Sequence, residues 1–237
     1  MIHLPKPYFL PLLFAVVFSL TGCQSPKVQP DPAVEKWETT MQAFESADHD
    51  APPPKGALLL AGSSSFRMWK SAAQDFPDKQ VINRGFGGSQ MSDLLHYTDR
   101  IVIPYEPAEI LVYEGDNDLA AGESPEIIFT EFKEFTRIVL KALPASRVYF
   151  VAIKPSPSRA KLMGKMREAN GLIANYCNGK ARLEFIDVFT PMLDSDGQPR
   201  AELFVADQLH MNPAGYALWT KIVRKKMGLS ERTGAAQ

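Results

Sequence analysis

Ala57-Leu58-Leu59-Leu60-Ala61 runs directly into Gly62-Ser63-Ser64-Ser65 and then into the short amphipathic run Phe66-Arg67-Met68-Trp69. Five apolar residues with no polar alternation fit a strand covered on both faces, the usual condition of a parallel sheet. Apolar runs recur at 80–83, 109–114, 147–153 and 183–188, and helical patterns near 90–99, 125–142, 159–178 and 213–227 separate them. The helix over 125–142 is the clearest. Ser124 is placed as its N-cap, Pro125 takes the first helical position, and Ile128, Phe132, Phe135 and Val139 form one apolar stripe. Strands alternating with helices predict an α/β three-layer sandwich with a five-stranded parallel sheet in flavodoxin-like order.

In such sheets ligands bind beyond the carboxyl ends of the strands. Three short segments there carry candidate chemistry. Ser64 lies in the turn after the first strand, where a hydroxyl and a backbone N–H can face outward near a helix start. Taken alone, a serine-rich turn is as easily a helix cap, and the pentapeptide Gly-x-Ser-x-Gly is absent. Gly115-Asp116-Asn117-Asp118 follows the third run, and Asp207-Gln208-Leu209-His210 precedes the helix start at Asn212-Pro213.

A serine nucleophile needs a base, and a histidine base needs a partner on its other nitrogen. Of the four histidines, His3 lies in the N-terminal apolar segment, His49 sits between Asp48 and Asp50, and His96 fits an amphipathic helix. His210 remains, and a carboxylate three residues earlier in a turn can reach Nδ1 while Nε2 faces outward. The plainer readings are a surface turn for Asp207 and a helix-cap neighbour for His210. Asn117 offers an amide in a loop after a strand, or only an Asx turn. Gly88, in Gly85-Phe86-Gly87-Gly88, can bring its N–H close because it has no side chain, or can simply make a tight turn. It is no dinucleotide fingerprint, because position 90 is Gln. Asp118 is expected to order the Asn117 loop. No His, Cys, Asp or Glu group shows metal-ligand spacing along the sequence, so neither metal nor cofactor is expected.

From about Leu58 to Gly215 these segments together resemble the SGNH hydrolase superfamily, the GDSL-type esterases and lipases. The resemblance implies Ser64 as nucleophile, with His210 as base and Asp207 as the partner of that base. It implies an oxyanion hole made by the N–H of Ser64, by Gly88 and by Asn117. It also implies hydrolysis of carboxylic esters through an acyl-enzyme. Relatives act on lysophospholipids, acyl-thioesters, simple esters and acetylated sugars. The family's Gly-Asp-Ser reads Gly62-Ser63-Ser64 here. Ser63 is expected to replace the missing carboxylate with short hydrogen bonds to the turn backbone. Two rival readings use the same fold: a non-catalytic envelope-binding lipoprotein, and an acyltransferase that passes the acyl group to an acceptor other than water.

The N-terminus reads as an address. Tyr8 to Leu20 is almost wholly apolar and too short to span a bilayer, with Lys6 the only base before position 27. Leu20-Thr21-Gly22-Cys23 resembles a bacterial lipobox, which implies lipidation of Cys23. Gln24, where an inner-membrane signal would have Asp, favours the outer membrane facing the periplasm. The expected organisation is a signal peptide over 1–22, then anchor, tether and N-terminal helix over 23–55, then the hydrolase domain over 56–237. The N-terminal helix is predicted over 33–47 from Val34, Trp37, Met41 and Phe44.

Removing residues 1–22 takes away Lys6 and leaves 25 basic against 27 acidic residues, about -2. That balance gives no basic surplus for nucleic acid or an anionic membrane surface. The expected partners are therefore a small-molecule, lipid or glycan ester substrate, and the membrane only through the lipid anchor. Cys177, left as the single thiol, is expected to fill core space on a helix. Phe66, Met68, Trp69 and Phe86 fit either an acyl pocket or core packing.

Overall fold

In the computed structural model of the protein, Met1 and residues 36–230 are described. The expected signal peptide apart from Met1, the lipidation site Cys23, the tether and residues 231–237 lie outside the described residues. Strands β1 (Leu58–Gly62), β2 (Val81–Gly85), β3 (Glu109–Tyr113), β4 (Arg147–Val151) and β5 (Leu183–Ile186) form one sheet in the order β2-β1-β3-β4-β5. Every pairing is parallel. All five residues of β1 are buried, as a continuously apolar central strand requires. The runs at 147–153 and 183–188 are longer than β4 and β5. Past Val151 the Ala152 N–H makes a last bond to Ile186 of β5 at 2.9 Å, and the buried chain then leaves the ladder, with the N–H of Ile153 donating to the Asn170 side chain at 2.8 Å. An apolar run thus marks burial, which outlasts strand pairing here.

The strand order places the functional edge. The chain goes outward from β1 to β2, then crosses back to lay β3 on the other side of β1. Gly62 is in register with Gly85 on one side and Tyr113 on the other. The carboxyl ends of β2, β1 and β3 therefore lie side by side, at the topological switch point where such sheets bind ligands.

The helices are α1 (Glu38–Asp50), α2 (Ser64–Arg67), α3 (Ala72–Asp75), α4 (Met91–Ile101), α5 (Asp116–Ala121), α6 (Pro125–Ala142), α7 (Met163–Cys177) and α8 (Pro213–Lys226). Helix α6 begins and ends where its sequence pattern does, with Ser124 capping Ile127 and Ile128, Phe132, Phe135 and Val139 buried. Helix α7 starts later than expected, because Pro157–Leu162 forms a 3-10 segment first. Trp219 of α8 packs on Tyr113 of β3, with centroids 5.1 Å apart, and edge-on to Phe66 of α2 at 6.4 Å. Cys177 is buried on α7 as expected, and burial pushes its thiol up to about 11. Phe66, Trp69 and Phe86 are core residues, and only Met68 remains partly exposed.

The N-terminal helix begins later than expected and belongs to the packed body. Trp37 and Met41 are buried, and Trp37 meets Phe86 edge-on with centroids 5.5 Å apart. Arg100 of α4 pairs with both Glu38 and Glu45 at 2.6 Å, and Arg84 of β2 pairs with Asp48. The boundary expected between 55 and 56 is thus not where packing stops among the described residues, because Trp37 and Met41 belong to the same core.

Candidate active site

The turn carrying Ser64 is shaped by a close approach of two strands. Gly62 has φ +147°, and a Cβ there would stand 2.1 Å from the Tyr113 carbonyl oxygen. Glycine alone lets β1 lie against β3 to its last residue. The Ser63 N–H then donates to that same carbonyl at 3.0 Å, and the Ser63 carbonyl accepts from Phe66 and Arg67 at 3.0 and 3.1 Å. Ser64 follows as the first residue of α2, partly exposed.

The expectation for Ser63 is corrected. Its hydroxyl is buried and has no hydrogen-bond partner. Backbone bonds hold the turn, and Asn83 of β2 braces it. The Asn83 amide donates to the Phe66 carbonyl at 2.7 Å and accepts from the Gly85 N–H at 2.9 Å, tying α2 to β2.

His210 Nε2 lies 3.0 Å from Ser64 Oγ, and His210 Nδ1 lies 2.6 Å from Asp207 Oδ2. The other Asp207 oxygen accepts the backbone N–H groups of Leu209 and His210 at 2.8 and 2.9 Å. The His210 side chain first, and these N–H groups after it, hold the Asp207 carboxyl down to about 2. Ionised Asp207 can only accept, so Nδ1 of neutral His210 carries the proton and Nε2 is free to accept from Ser64. Antiparallel bridging of Phe204 with Met211 pins the loop, as does Asn212, whose side chain caps α8 and donates to the Glu202 and Phe204 carbonyls.

Gly88 follows β2 with φ +83°. A Cβ at this position would meet only Trp37, at 3.6 Å, so glycine is needed for its left-handed backbone and not for room. Asn117 is not in a loop, because it sits in the first turn of α5. Its Nδ2 donates to the carbonyl of Ser89, next to Gly88, at 2.9 Å. The N–H groups of Ser64 and Gly88 donate to no protein acceptor among the described residues. Three donors thus come from three adjacent strand ends.

Asp118 orders this region as expected, accepting the Met91 N–H at 2.7 Å and the Gly115 N–H at 3.0 Å. It also belongs to a group that linear spacing hides. Asp118, Glu123 and Glu131 bring carboxylate oxygens within 4.8 Å of one another, which corrects the reading that no such cluster exists. Burial, and then the charges of Glu123 and Asp93, pushes Glu131 up to about 7. Burial likewise raises Asp118 to about 7 against its N–H bonds. Each Asp118 oxygen accepts one backbone N–H and keeps a second lone pair toward the cluster.

Sequence reasoning missed the charged group behind Asn117. Asp116 is buried between Lys154 and Arg159, at 2.8 Å from each. Burial alone would raise its carboxyl, but Lys154 and then Arg159 hold it below its ordinary value. The available signal was Lys154-Pro155-Ser156-Pro157-Ser158-Arg159, two basic residues just beyond the β4 run.

Residues 53–218 match the family model for GDSL-like lipase/acylhydrolase proteins. The chain belongs to that family. A comparison with curated proteins finds no match. Several solved structures share the fold of this GDSL-like chain. One, from Streptococcus pneumonia and provisionally described as a platelet activating factor, has 20% identity and a TM-score of 0.72, over 82% of this chain and 94% of its own. A GDSL-like lipase from Bacteroides thetaiotaomicron has 16% identity and a TM-score of 0.67, over 79% and 97%. A variant of a Geobacillus acetyl-xylooligosaccharide esterase has 14% identity and a TM-score of 0.60, over 77% and 99%. Family membership supports ester hydrolysis in general.

Proposed function

We propose that this GDSL-like protein is a serine ester hydrolase of the cell envelope that works through an acyl-enzyme. The observation that carries the reading is the unbroken relay from Ser64 Oγ to His210 Nε2 at 3.0 Å and from His210 Nδ1 to Asp207 at 2.6 Å. His210 takes the Ser64 proton as Oγ attacks the ester carbonyl carbon. The resulting oxyanion is held by the N–H groups of Ser64 and Gly88 and by Asn117 Nδ2. Asp207 fixes the imidazole tautomer and stabilises the imidazolium. His210 then gives the proton to the departing alcohol, and the acyl group stays on Ser64. Water deprotonated by His210 attacks this ester, releases the acid and restores the Ser64 hydroxyl.

The proposed substrate is an ester of a lipid or an acetylated glycan in the envelope. The lipobox at Cys23 supports the location, with the chain anchored to the outer membrane and facing the periplasm. Among the described residues no helix is long and apolar enough to cross a membrane, so the anchor would be the attachment. Fold neighbours named for platelet activating factor and for an acetylated xylooligosaccharide keep both substrate classes in view.

The test uses residues 24–237 on p-nitrophenyl esters from acetate to long acyl chains. Ser64→Ala and His210→Ala are each expected to lower turnover by at least about a thousandfold. The chain-length profile separates a deacetylase from a lipase. Undiminished turnover in Ser64→Ala would sink the nucleophile assignment.

A further inference from the structure

We propose that Arg159 is a positioning residue of the oxyanion hole, acting on the ester carbonyl through the Asn117 amide. The proposal rests on the serine-esterase reading above. Asn117 is held on both sides by groups whose hydrogen-bonding sense is fixed. A guanidinium only donates, and Arg159 Nη2 lies 2.9 Å from Asn117 Oδ1. A backbone carbonyl only accepts, and the Ser89 oxygen lies 2.9 Å from Asn117 Nδ2. Turning the amide over would lose both bonds, so this network sets its orientation. The amide NH2 keeps one further hydrogen for a substrate oxygen. A cation on Oδ1 draws electron density from the amide nitrogen and strengthens that remaining donor.

Arg159 is itself held in place. Its Nη1 lies 2.8 Å from Asp116 Oδ1, an ion pair whose N–H is not aligned for a hydrogen bond. The other Asp116 oxygen accepts from Lys154 Nζ at 2.8 Å and from the Tyr113 hydroxyl at 3.1 Å. Side-chain exposure is 1% for Lys154, 5% for Asp116 and 17% for Arg159. Two cations against one anion leave this buried group positive, beside the residue that receives the developing negative charge. Water screens it little there. The segment also reaches the base, because the Ser158 N–H donates to the Gln208 carbonyl at 3.1 Å.

A neutral ester carbonyl gains little from this arrangement and an oxyanion gains much, so the effect falls on kcat rather than KM. The test is a double-mutant cycle on the full chain with p-nitrophenyl acetate: wild type, Arg159→Met, Asn117→Ala and the pair. Ser64→Ala and Arg159→Lys are run beside them, with a thermal melt of each. Arg159→Met is expected to lower kcat about 10–100-fold with KM within about twofold, and Asn117→Ala to lower it by about a hundredfold or more. Arg159→Lys keeps the charge without the fork and recovers part of the loss. In the Asn117→Ala background the Arg159 substitution should cost less than about twofold, because its route is already gone. An equal loss in both backgrounds, or an unchanged kcat in Arg159→Met, overturns the proposal.

If Arg159→Met melts early, the same cycle is read with Arg159→Lys. Where turnover is too slow to follow, the rate of fluorophosphonate labelling at Ser64 replaces kcat. Undiminished activity or labelling in Ser64→Ala overturns Ser64 as the nucleophile on which the proposal rests, and the Arg159 proposal falls with it. Loss in Ser64→Ala together with independent Arg159 and Asn117 effects removes only the positioning role.

Discussion

Ser63 shows how a family position can change without loss of the turn. Its hydroxyl is buried and bonds to nothing, while the turn rests on the Ser63 backbone and on Asn83. Ser63→Ala therefore removes no hydrogen bond, and stability should stay within about 0.5 kcal/mol with kcat unchanged. Urea denaturation and p-nitrophenyl ester turnover check this, and a clear loss of either would mean the hydroxyl does hold the turn. Local signals made Ser64, Asp207 and His210 candidates, a turn after an apolar strand and a three-residue spacing before a helix start, and the family resemblance singled them out. Arg159 was not legible. Its partner Asn117 is 42 positions away, and no local pattern connects them.

Among the elements, β1 and the segment from α5 to α6 carry the sharpest tests. Gly62→Ala would put a Cβ against the Tyr113 carbonyl in a backbone conformation that favours glycine. It is expected to cost about 2–4 kcal/mol of stability by urea denaturation. The carboxyls of Asp118 and Glu131 bind protons more tightly in the folded chain than in the unfolded one, with values pushed to about 7. Their contribution to stability is complete below about pH 4 and is lost as pH rises through about 7. The protein should melt lower at pH 8 than at pH 5. Glu131→Gln should raise the melting temperature by a few degrees at pH 8 and change it little at pH 5. A pH-independent effect would mean the cluster does not titrate there. Helix α6 was legible in full because five turns give its apolar stripe room to repeat. Helix α5, six residues long, is too short for a period to show.

Across the whole molecule, α1 decides how much chain the fold needs. Trp37 and Met41 are buried against the rest, and each such side chain contributes roughly 1.5–3 kcal/mol. Trp37 also packs on Phe86, two residues before Gly88, whose N–H is proposed to bind the oxyanion. A chain cut to 56–237 should melt well below residues 24–237 and hydrolyse esters more slowly. Equal melting temperatures and equal rates would show that α1 is dispensable. The boundary was expected between 55 and 56, just after the helix-breaking Pro52-Pro53-Pro54, because composition marks the end of a helix but not what the helix packs upon.

Strand number, parallel pairing and the local segments that carry Ser64 and the Asp207–His210 pair were readable from one dimension. Each depends on neighbours in sequence: unbroken apolar runs, capped helical periods, and residues within a turn of one another. Folding alone settled the contacts between distant positions. It put Lys154 and Arg159 around Asp116, gathered Asp118, Glu123 and Glu131, left Ser63 without a partner and drew α1 onto Arg100 of α4 and Arg84 of β2. The physical reason is the range of the interactions. Backbone propensity and amphipathic period act over a few residues. Burial and charge pairing act through space, between segments that the sheet brings together only once it has closed.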